Sequence, residues 1–413
     1  MSNHFLSSFE SRPVNLHQNE RAVVASRAPL FFLSGPTQTI VARDEGRVIR
    51  ARLADRSVLP DLADAALRTD DGFREKRLMV GALPFAEKSP VRLFCPRRVS
   101  RTGRWWIDAT RTPKIDASAA PTAPRRAAAI GPREPQEEGP RFVSSVRAAV
   151  DAIARGDLRK VVLSRVKRFR LAQSPDIGAL LQRLRVQDPL GFTFAVALPQ
   201  DGERPTRTLV GVSPELLLSR RGARVVSAPL AGSAPRAMDD GEDRRRAAHL
   251  LGSPKDRHEH RLVVEQILEN LQPFTRDMRW NREPELVATS SMWHLSTRIE
   301  GVLRSLDISA LRLALALHPT PAVCGSPSRE AAAWIDRAEP FDRGYFTGTL
   351  GYMDTAGDGD WVVTIRCAEL GHSHANVFAG AGIVAGSEAE AELAETEAKM
   401  STMLKALGLA AAP

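Results

Sequence analysis

"GTLGYMDTAGDGDWVVTIRCAEL", residues 348–370, sets one apolar run on either side of the turn-forming "DTAGDGD". Glycine supplies backbone conformations that other residues avoid, and aspartate caps its own turn, so the stretch predicts an antiparallel hairpin. Parallel neighbours would need a crossover of a dozen or more residues between them. The same punctuation recurs in "FTFAVAL" (192–198), "RTLVGVSPELLLSRRGARVVSAPLAG" (207–232) and "HANVFAGAGIV" (374–384). Upstream, "PLFFLSGPTQTIVAR" (29–43), "RLMVGALPF" (77–85) and "RKVVLSRVKRF" (159–169) also read as strands. Helices are predicted separately, in "LPDLADAALRT" (59–69), from Phe142 to the Gly156-Asp157 turn, in 253–271, in "DISALRLALALH" (307–318), around "REAAAWIDRA" (329–338), and from about Glu388 to Leu407. Strands in hairpin clusters interrupted by separate helices imply an α+β fold with large antiparallel sheets.

The 413 residues include 58 Lys and Arg against 49 Asp and Glu, a formal charge of +9. The arginines are scattered, with no basic block interleaved with aromatics, so a nucleic-acid partner is not expected; the excess instead gives a mildly attractive field for anionic substrates. No run approaches the roughly 18–20 apolar residues of a membrane span. The opening "MSNHFLSSFESRPVN" lacks the apolar region of a secretory signal, and Cys95, Cys324 and Cys367 match no disulfide or zinc spacing. A cytoplasmic, monomeric protein with no membrane partner is the expectation. "PKIDASAAPTAPRRAAAIGPREPQEEGP" (113–140) holds six prolines with almost no apolar periodicity. It divides residues 1–110, read as the N-terminal part of one α/β domain, from a core at 142–413, with 111–141 as loop or linker.

"SPKDRHEHRLVVEQILENL" (253–271) places His258, Glu259 and His260 side by side. Successive helical residues are ~100° apart, so these three cannot converge on one zinc ion. Leu262, Val263 and Ile267 lie three, four and eight residues after Glu259, which puts the glutamate on the inward face. There it either caps the helix start in partial contact with water, or is buried and needs a cation or hydrogen bonds. Glu392, Glu395 and Lys399 share a face of the last helix, as a solvated ion pair or as part of an oxygen-only site for a hard cation such as Mg2+. Lys160 opens a strand whose continuous apolar run suggests burial on both faces; there its charged form is disfavoured and it could act as a base, although a lysine at a strand start is ordinarily solvated. Glu215 sits at the edge of an apolar strand after Ser213-Pro214, as a turn-capping acid or a buried one. Gly380, Gly382 and Gly386 do not match the dinucleotide fingerprint, but small residues here let backbone N–H groups approach a carboxylate.

These segments together resemble the chorismate-utilising enzymes, and among them the isochorismate synthases. The resemblance is carried by "KVVLSR" (160–165), "GVSPELLL" (211–218), "APLAGSAPR" (228–236), "KDRHEH" (255–260), "MWHLSTRIEG" (292–301), "LHPTPAVCG" (317–325), "EPFDRGYFTGTLGY" (339–352), "VVTIRCAEL" (362–370), "FAGAGIV" (378–384) and "ETEAKMSTML" (395–404), in the family's order. It implies two large antiparallel sheets flanked by helices, and Mg2+-dependent, reversible conversion of chorismate to isochorismate, with water added at C2 as the C4 hydroxyl leaves. On the matching positions it implies Lys160 as base, Glu215 as acid, and Glu259 and Glu395 as metal ligands with Glu392 close by. It also implies that His294, Arg366, Lys399 and the backbone of Gly380, Ala381 and Gly382 meet the substrate. Relatives that eliminate pyruvate or add ammonia generally carry threonine where this chain has Ala322, so the resemblance favours an isomerase over a salicylate synthase or an aminating enzyme. Cys324 departs from the usual serine. The product would pass to a downstream isochorismate-using enzyme of siderophore, salicylate, 2,3-dihydroxybenzoate or menaquinone synthesis.

Overall fold

The computed structural model describes residues 28–68, 77–103, 130–132, 138–199 and 207–409. Two antiparallel sheets pack face to face. The first runs, in spatial order, Gly325–Ser326, Lys160–Arg170, His374–Ile383, Cys367–Leu370, Arg207–Ser213, Phe192–Leu198, Phe31–Ser34, Gln38–Ala42 and Val99–Gly103, with Ile130–Pro132 also paired to Lys160–Arg170. The second runs Thr275–Trp280, Ile299–Leu303, Arg224–Ala228, Leu216–Arg221, Gly359–Val363, Thr349–Asp354, Leu78–Leu83, Arg92–Cys95 and Arg47–Ile49. The hairpin foreseen at 348–370 forms, Thr349 pairing with Val363, but its far end enters the other sheet, where Cys367 pairs with Gly211.

Between the sheets lies an apolar layer that includes Phe31, Phe194 and Phe378 from the first and Val80, Leu350 and Val362 from the second. Helices Ile177–Gln187 and Ala389–Leu407 cover the far face of the first sheet through Leu180, Leu184, Met400 and Met403, and Glu138–Ala154 and Ser328–Ala338 cover it further along. Leu59–Arg68, Pro254–Leu271 and Ala310–Leu317 cover the second. With helices outside and a second sheet inside, the first seven residues of Lys160–Arg170 are buried on both faces. Strands from 31–103 complete both sheets, so the N-terminal part shares the core of the rest.

Local signals explain the element ends. Ser253 caps Pro254–Leu271, its hydroxyl accepting from Asp256 N at 3.2 Å, and Pro254 fills a first-turn position that needs no N–H donor. Gly408, at φ 72°, closes Ala389–Leu407 in the left-handed conformation glycine tolerates. Most of the proline-rich segment lies outside the described residues; within it a short strand stands at Ile130–Pro132, and the following helix starts at Glu138, four residues before Phe142. Ile177–Gln187 and Asp240–Gly252 are two helices not foreseen from the sequence. The second carries a polar run, "DGEDRRR", where an apolar stripe would be sought. No helix among the described residues is long and apolar enough to cross a membrane.

Candidate active site

The chain passes from one sheet to the other at Pro214-Glu215 and again at Thr364–Arg366. The two crossings hydrogen-bond to each other, Val363 N donating to Glu215 O at 3.2 Å and Val212 N to Arg366 O at 3.1 Å. Where strands leave a sheet the layers part, and side chains at the crossings can face the gap. A three-stranded sheet, Leu230–Pro235, Met292–Ser296 and Glu285–Ala288, lies beside it. The resulting cleft, about 660 Å³ counting the space open to solvent, is lined by Glu215, Arg366, Glu259, Glu395, Lys399 and His294 among its polar groups. Val162, Ala322, Val323, Phe346 and Phe378 give it an apolar wall.

Most of the residues singled out from the sequence therefore meet here, but three do not line the cleft. Ala381 does not. In Lys160–Arg170's neighbour strand successive side chains alternate, so Gly380 and Gly382 face the cleft while Ala381 is buried in the helix-covered layer. Lys160 is fully buried one layer back, its Nζ 2.9 Å from Glu259 Oε1 but outside hydrogen-bonding angles. Glu392 is buried one turn before Glu395 on the same helix, with Lys255 Nζ 2.6 Å from its Oε1. His258 is half-buried and meets Arg261, and His260 is buried against Thr297, so neither histidine beside Glu259 reaches the cleft.

Gly382 is required by close approach. A Cβ there would lie 2.0 Å from Glu259 Oε1, so the glycine makes room for the carboxylate that Lys160 meets. Gly380 offers its carbonyl to Lys399 Nζ at 2.9 Å, and Lys399 also lies 2.5 Å from Glu395.

The electrostatics divide the acids. Burial pushes the Glu215 carboxyl up to about 8 against the opposing pull of a Leu230 backbone hydrogen bond, Lys160 and Lys399. Burial would raise Glu259 too, but Lys160, with Lys255 and Lys399 beyond it, holds it below the usual carboxylate range. Burial and the neighbouring Glu395 push Glu392 up to about 7. Lys255 pulls the other way; despite burial, its own pKa is raised by Glu392, and the 2.6 Å contact is that of an ion pair, so we read Glu392 as ionised at neutral pH and unusually easy to protonate.

Arg366 is buried with φ 50°, a left-handed backbone uncommon for a non-glycine residue and characteristic of functional sites. Burial lowers its guanidinium to about 10, against the opposing influence of Glu395 and Asp188. Its Nη2 lies 3.0 Å from His294 Nε2; a guanidinium can only donate, so Nε2 accepts and the ring proton sits on Nδ1. Burial, Arg366 and Lys399 depress His294 well below the ordinary histidine value, which keeps it neutral. No carboxylate among the described residues forms an ion pair with Arg366. A buried cation without a counter-ion is costly, and a planar anion such as a carboxylate would satisfy it. Thr347, at φ 58°, was not foreseen and also lines the cleft; nothing in its sequence neighbourhood marks the strained backbone.

The sequence and fold that build this cleft have clear counterparts among known proteins. The family of chorismate binding enzymes matches residues 101–408. The isochorismate synthase DhbC of Bacillus subtilis (strain 168) is 40% identical over 388 residues, 92% of this chain and 94% of that protein. The isochorismate synthase EntC of Escherichia coli (strain K12) is 41% identical over 332 residues, 80% of this chain and 81% of that one. Among solved structures, DhbC from Bacillus anthracis, assigned as a 2,3-dihydroxybenzoate-specific isochorismate synthase, superposes with a TM-score of 0.85 at 40% identity, covering 95% of this chain and 100% of that one. Anthranilate synthase component I from Streptococcus pneumoniae TIGR4, at 20% identity and a TM-score of 0.68, shares the fold. The chain belongs to the chorismate-binding enzymes. Within them it groups with the isochorismate synthases.

Proposed function

We propose that this chain converts chorismate reversibly to isochorismate, adding water at C2 while the C4 hydroxyl leaves. The observation that carries the reading is the placing of Glu215 and Arg366 at two sheet crossings whose backbones hydrogen-bond to each other: an acid held protonated to about pH 8, and a buried guanidinium with no ion-pair partner among the described residues. A departing hydroxyl needs a proton, and a protonated carboxylic acid in a dry wall supplies it. Arg366 offers its free donors to a substrate carboxylate, and neutral His294 fixes the guanidinium from the other side. Lys399, tethered to Gly380 O, contributes a second positive charge.

Lys160 is assigned the base that takes the proton of the incoming water. It is dry and adjacent to the cleft wall, but it must turn away from Glu259 and be neutral to act. Ala322 and Val323 leave an apolar wall with no hydroxyl at position 322, which supports an isomerase that stops at isochorismate.

The acidic side fits Mg2+ by its donor chemistry. Glu259 and Glu395 face the cleft with oxygen donors only, and Glu392 is raised partly by Glu395, a repulsion that a cation relieves. No three acidic, histidine or cysteine side chains among the described residues form a ready-made cage, and Mg2+ commonly needs only one or two carboxylates with water and substrate filling the rest. Glu259 and Glu395 would hold it, with Glu392 joining directly or through water. When bound, Mg2+ supplies positive charge that neutralises and orients a substrate carboxylate.

The similar proteins include a vibriobactin-specific and a menaquinone-specific isochorismate synthase, so the product would feed a siderophore or menaquinone route through a second, isochorismate-consuming enzyme. The purified chain incubated with chorismate and Mg2+ is expected to give pyruvate only after an isochorismatase is added. Stoichiometric pyruvate without that enzyme would replace this reading with a salicylate synthase.

A further inference from the structure

Behind the apolar wall of the cleft, Arg343 is buried and all five of its N–H donors are used. Nε and Nη2 grip Glu339 at 2.8 and 2.5 Å. Nη1 donates to Val323 O at 2.7 Å and to Thr347 Oγ1 at 3.3 Å, and Nη2 also donates to Val162 O at 2.8 Å. Glu339 in turn accepts from Ser164 N at 2.7 Å, which ties the pair to the Lys160 strand a second time. The guanidinium stacks 4.4 Å from Phe85 and lies 6.0 Å from Phe346.

Val162, Val323, Phe346 and Thr347 all line the cleft, and they come from three separate stretches of chain. One guanidinium therefore fixes the mutual placement of three wall segments. It also holds Thr347, a β-branched residue at φ 58°, in a conformation that such a residue avoids. With every donor occupied by protein, Arg343 has none left for a ligand.

The geometry points to Arg343, oriented by Glu339, as a positioning residue that sets the wall against which the reacting ring lies. This role rests on the reading of the cleft as the chorismate site. Lysine at 343 could keep the charge, but its three donors on one nitrogen cannot reproduce the five-donor fork or the flat stack on Phe85. The anchors Arg366 and Lys399 stay in place, so binding is maintained while the ring loses its orientation.

The test compares Arg343→Lys and Glu339→Gln with the parent in steady-state turnover of chorismate with Mg2+, normalised to the folded fraction from circular dichroism. Arg343→Lys is expected to lower kcat per folded molecule on the order of 100-fold, as misplacement by about 1 Å can, with KM changed less than about threefold. Glu339→Gln, which keeps one acceptor of the fork, should lower kcat about 10-fold on the same grounds. A merely structural role would reduce the folded fraction and leave kcat per folded molecule unchanged; that result in either folded variant overturns the proposal. Failure of both variants to fold would also overturn it, by making the pair a structural support. A parent that leaves chorismate untouched overturns the underlying reading and this role with it, whereas an active parent with indifferent variants overturns this role alone.

Discussion

Glu215 and Glu259 face one cleft, both buried, and they are driven in opposite directions. Glu215 sits at a sheet crossing with its carboxyl pushed up to about 8, whereas Glu259 sits on a helix with Lys160 at 2.9 Å and stays below the ordinary range. The same side chain is thus made easy to protonate on one wall and held as a negative charge on the other, where Lys160 stands next to it. Glu395 and Glu392 also lie against lysines, Lys399 and Lys255, but burial and the neighbouring Glu395 still push Glu392 up to about 7. Arg366 mirrors the first, as a buried charge without an ion-pair partner among the described residues. On the proposed reading, the unpaired side receives substrate groups and the paired side exchanges lysine for another cation.

The largest effect expected from breaking this contrast is on the proton donor. Glu215→Gln removes the acid while keeping its shape and should lower kcat at least ~100-fold, measured as isochorismate formed per folded molecule. Lys160→Ala should lose a similar factor and, unlike Glu215→Gln, also destabilise the fold by about 3–5 kcal/mol in urea titration, because Glu259 is left buried without its cation. Near-normal turnover in either variant refutes the assigned role.

Next in size is the unpaired guanidinium. Arg366→Lys should raise KM for chorismate by roughly 10-fold or more, since a point charge replaces a planar two-pronged donor. An unchanged KM would mean that the substrate carboxylate lies elsewhere.

A smaller effect is readable in pH. Glu215 must be protonated to act, so the rate should fall as pH rises through about 8. The stability linkage has the same sign: the folded-state pKa lies above the ordinary 4.5, so the contribution is fully present below that value and is lost as pH rises to about 8. Glu215→Gln should flatten this part of a stability-against-pH curve; an identical slope in parent and variant would assign the titration to another group.

The smallest change sharpens the paired side. Gly382→Ala places a methyl 2.0 Å from the present position of Glu259 Oε1 and must displace it. Weaker Mg2+ binding, by about 10-fold in calorimetry and in line with the loss when groups supporting a metal ligand are disturbed, is expected. Unaltered Mg2+ affinity would remove Glu259 from the ligand set.

Much of this contrast is legible in sequence where the signal is local. The spacing of Leu262, Val263 and Ile267 placed Glu259 inward, and the apolar run after Lys160 placed that lysine in a doubly covered strand. Strand alternation also separates Gly380 and Gly382 from Ala381, a distinction that grouping the three as one backbone site overlooks. Motif likeness supplied Arg366 and His294 where residue patterns alone did not. What stayed hidden depends on residues far apart in the chain. The sheet change within 348–370, the pairing of Lys160 with Glu259 across 99 positions, the left-handed Thr347 and the Arg343 fork are all settled by tertiary packing. Hairpin signals say that strands are antiparallel, but not that a hairpin's second arm will cross into another sheet at the residue that carries the charge.

The central claim, that water enters at C2 while the C4 hydroxyl departs, is tested most directly by incubating the purified chain with chorismate and Mg2+ in 18O-enriched water and weighing the products by mass spectrometry. The account predicts isochorismate carrying one solvent oxygen and no accumulation of pyruvate. Isochorismate without the label, or pyruvate formed in step with chorismate loss, would contradict it.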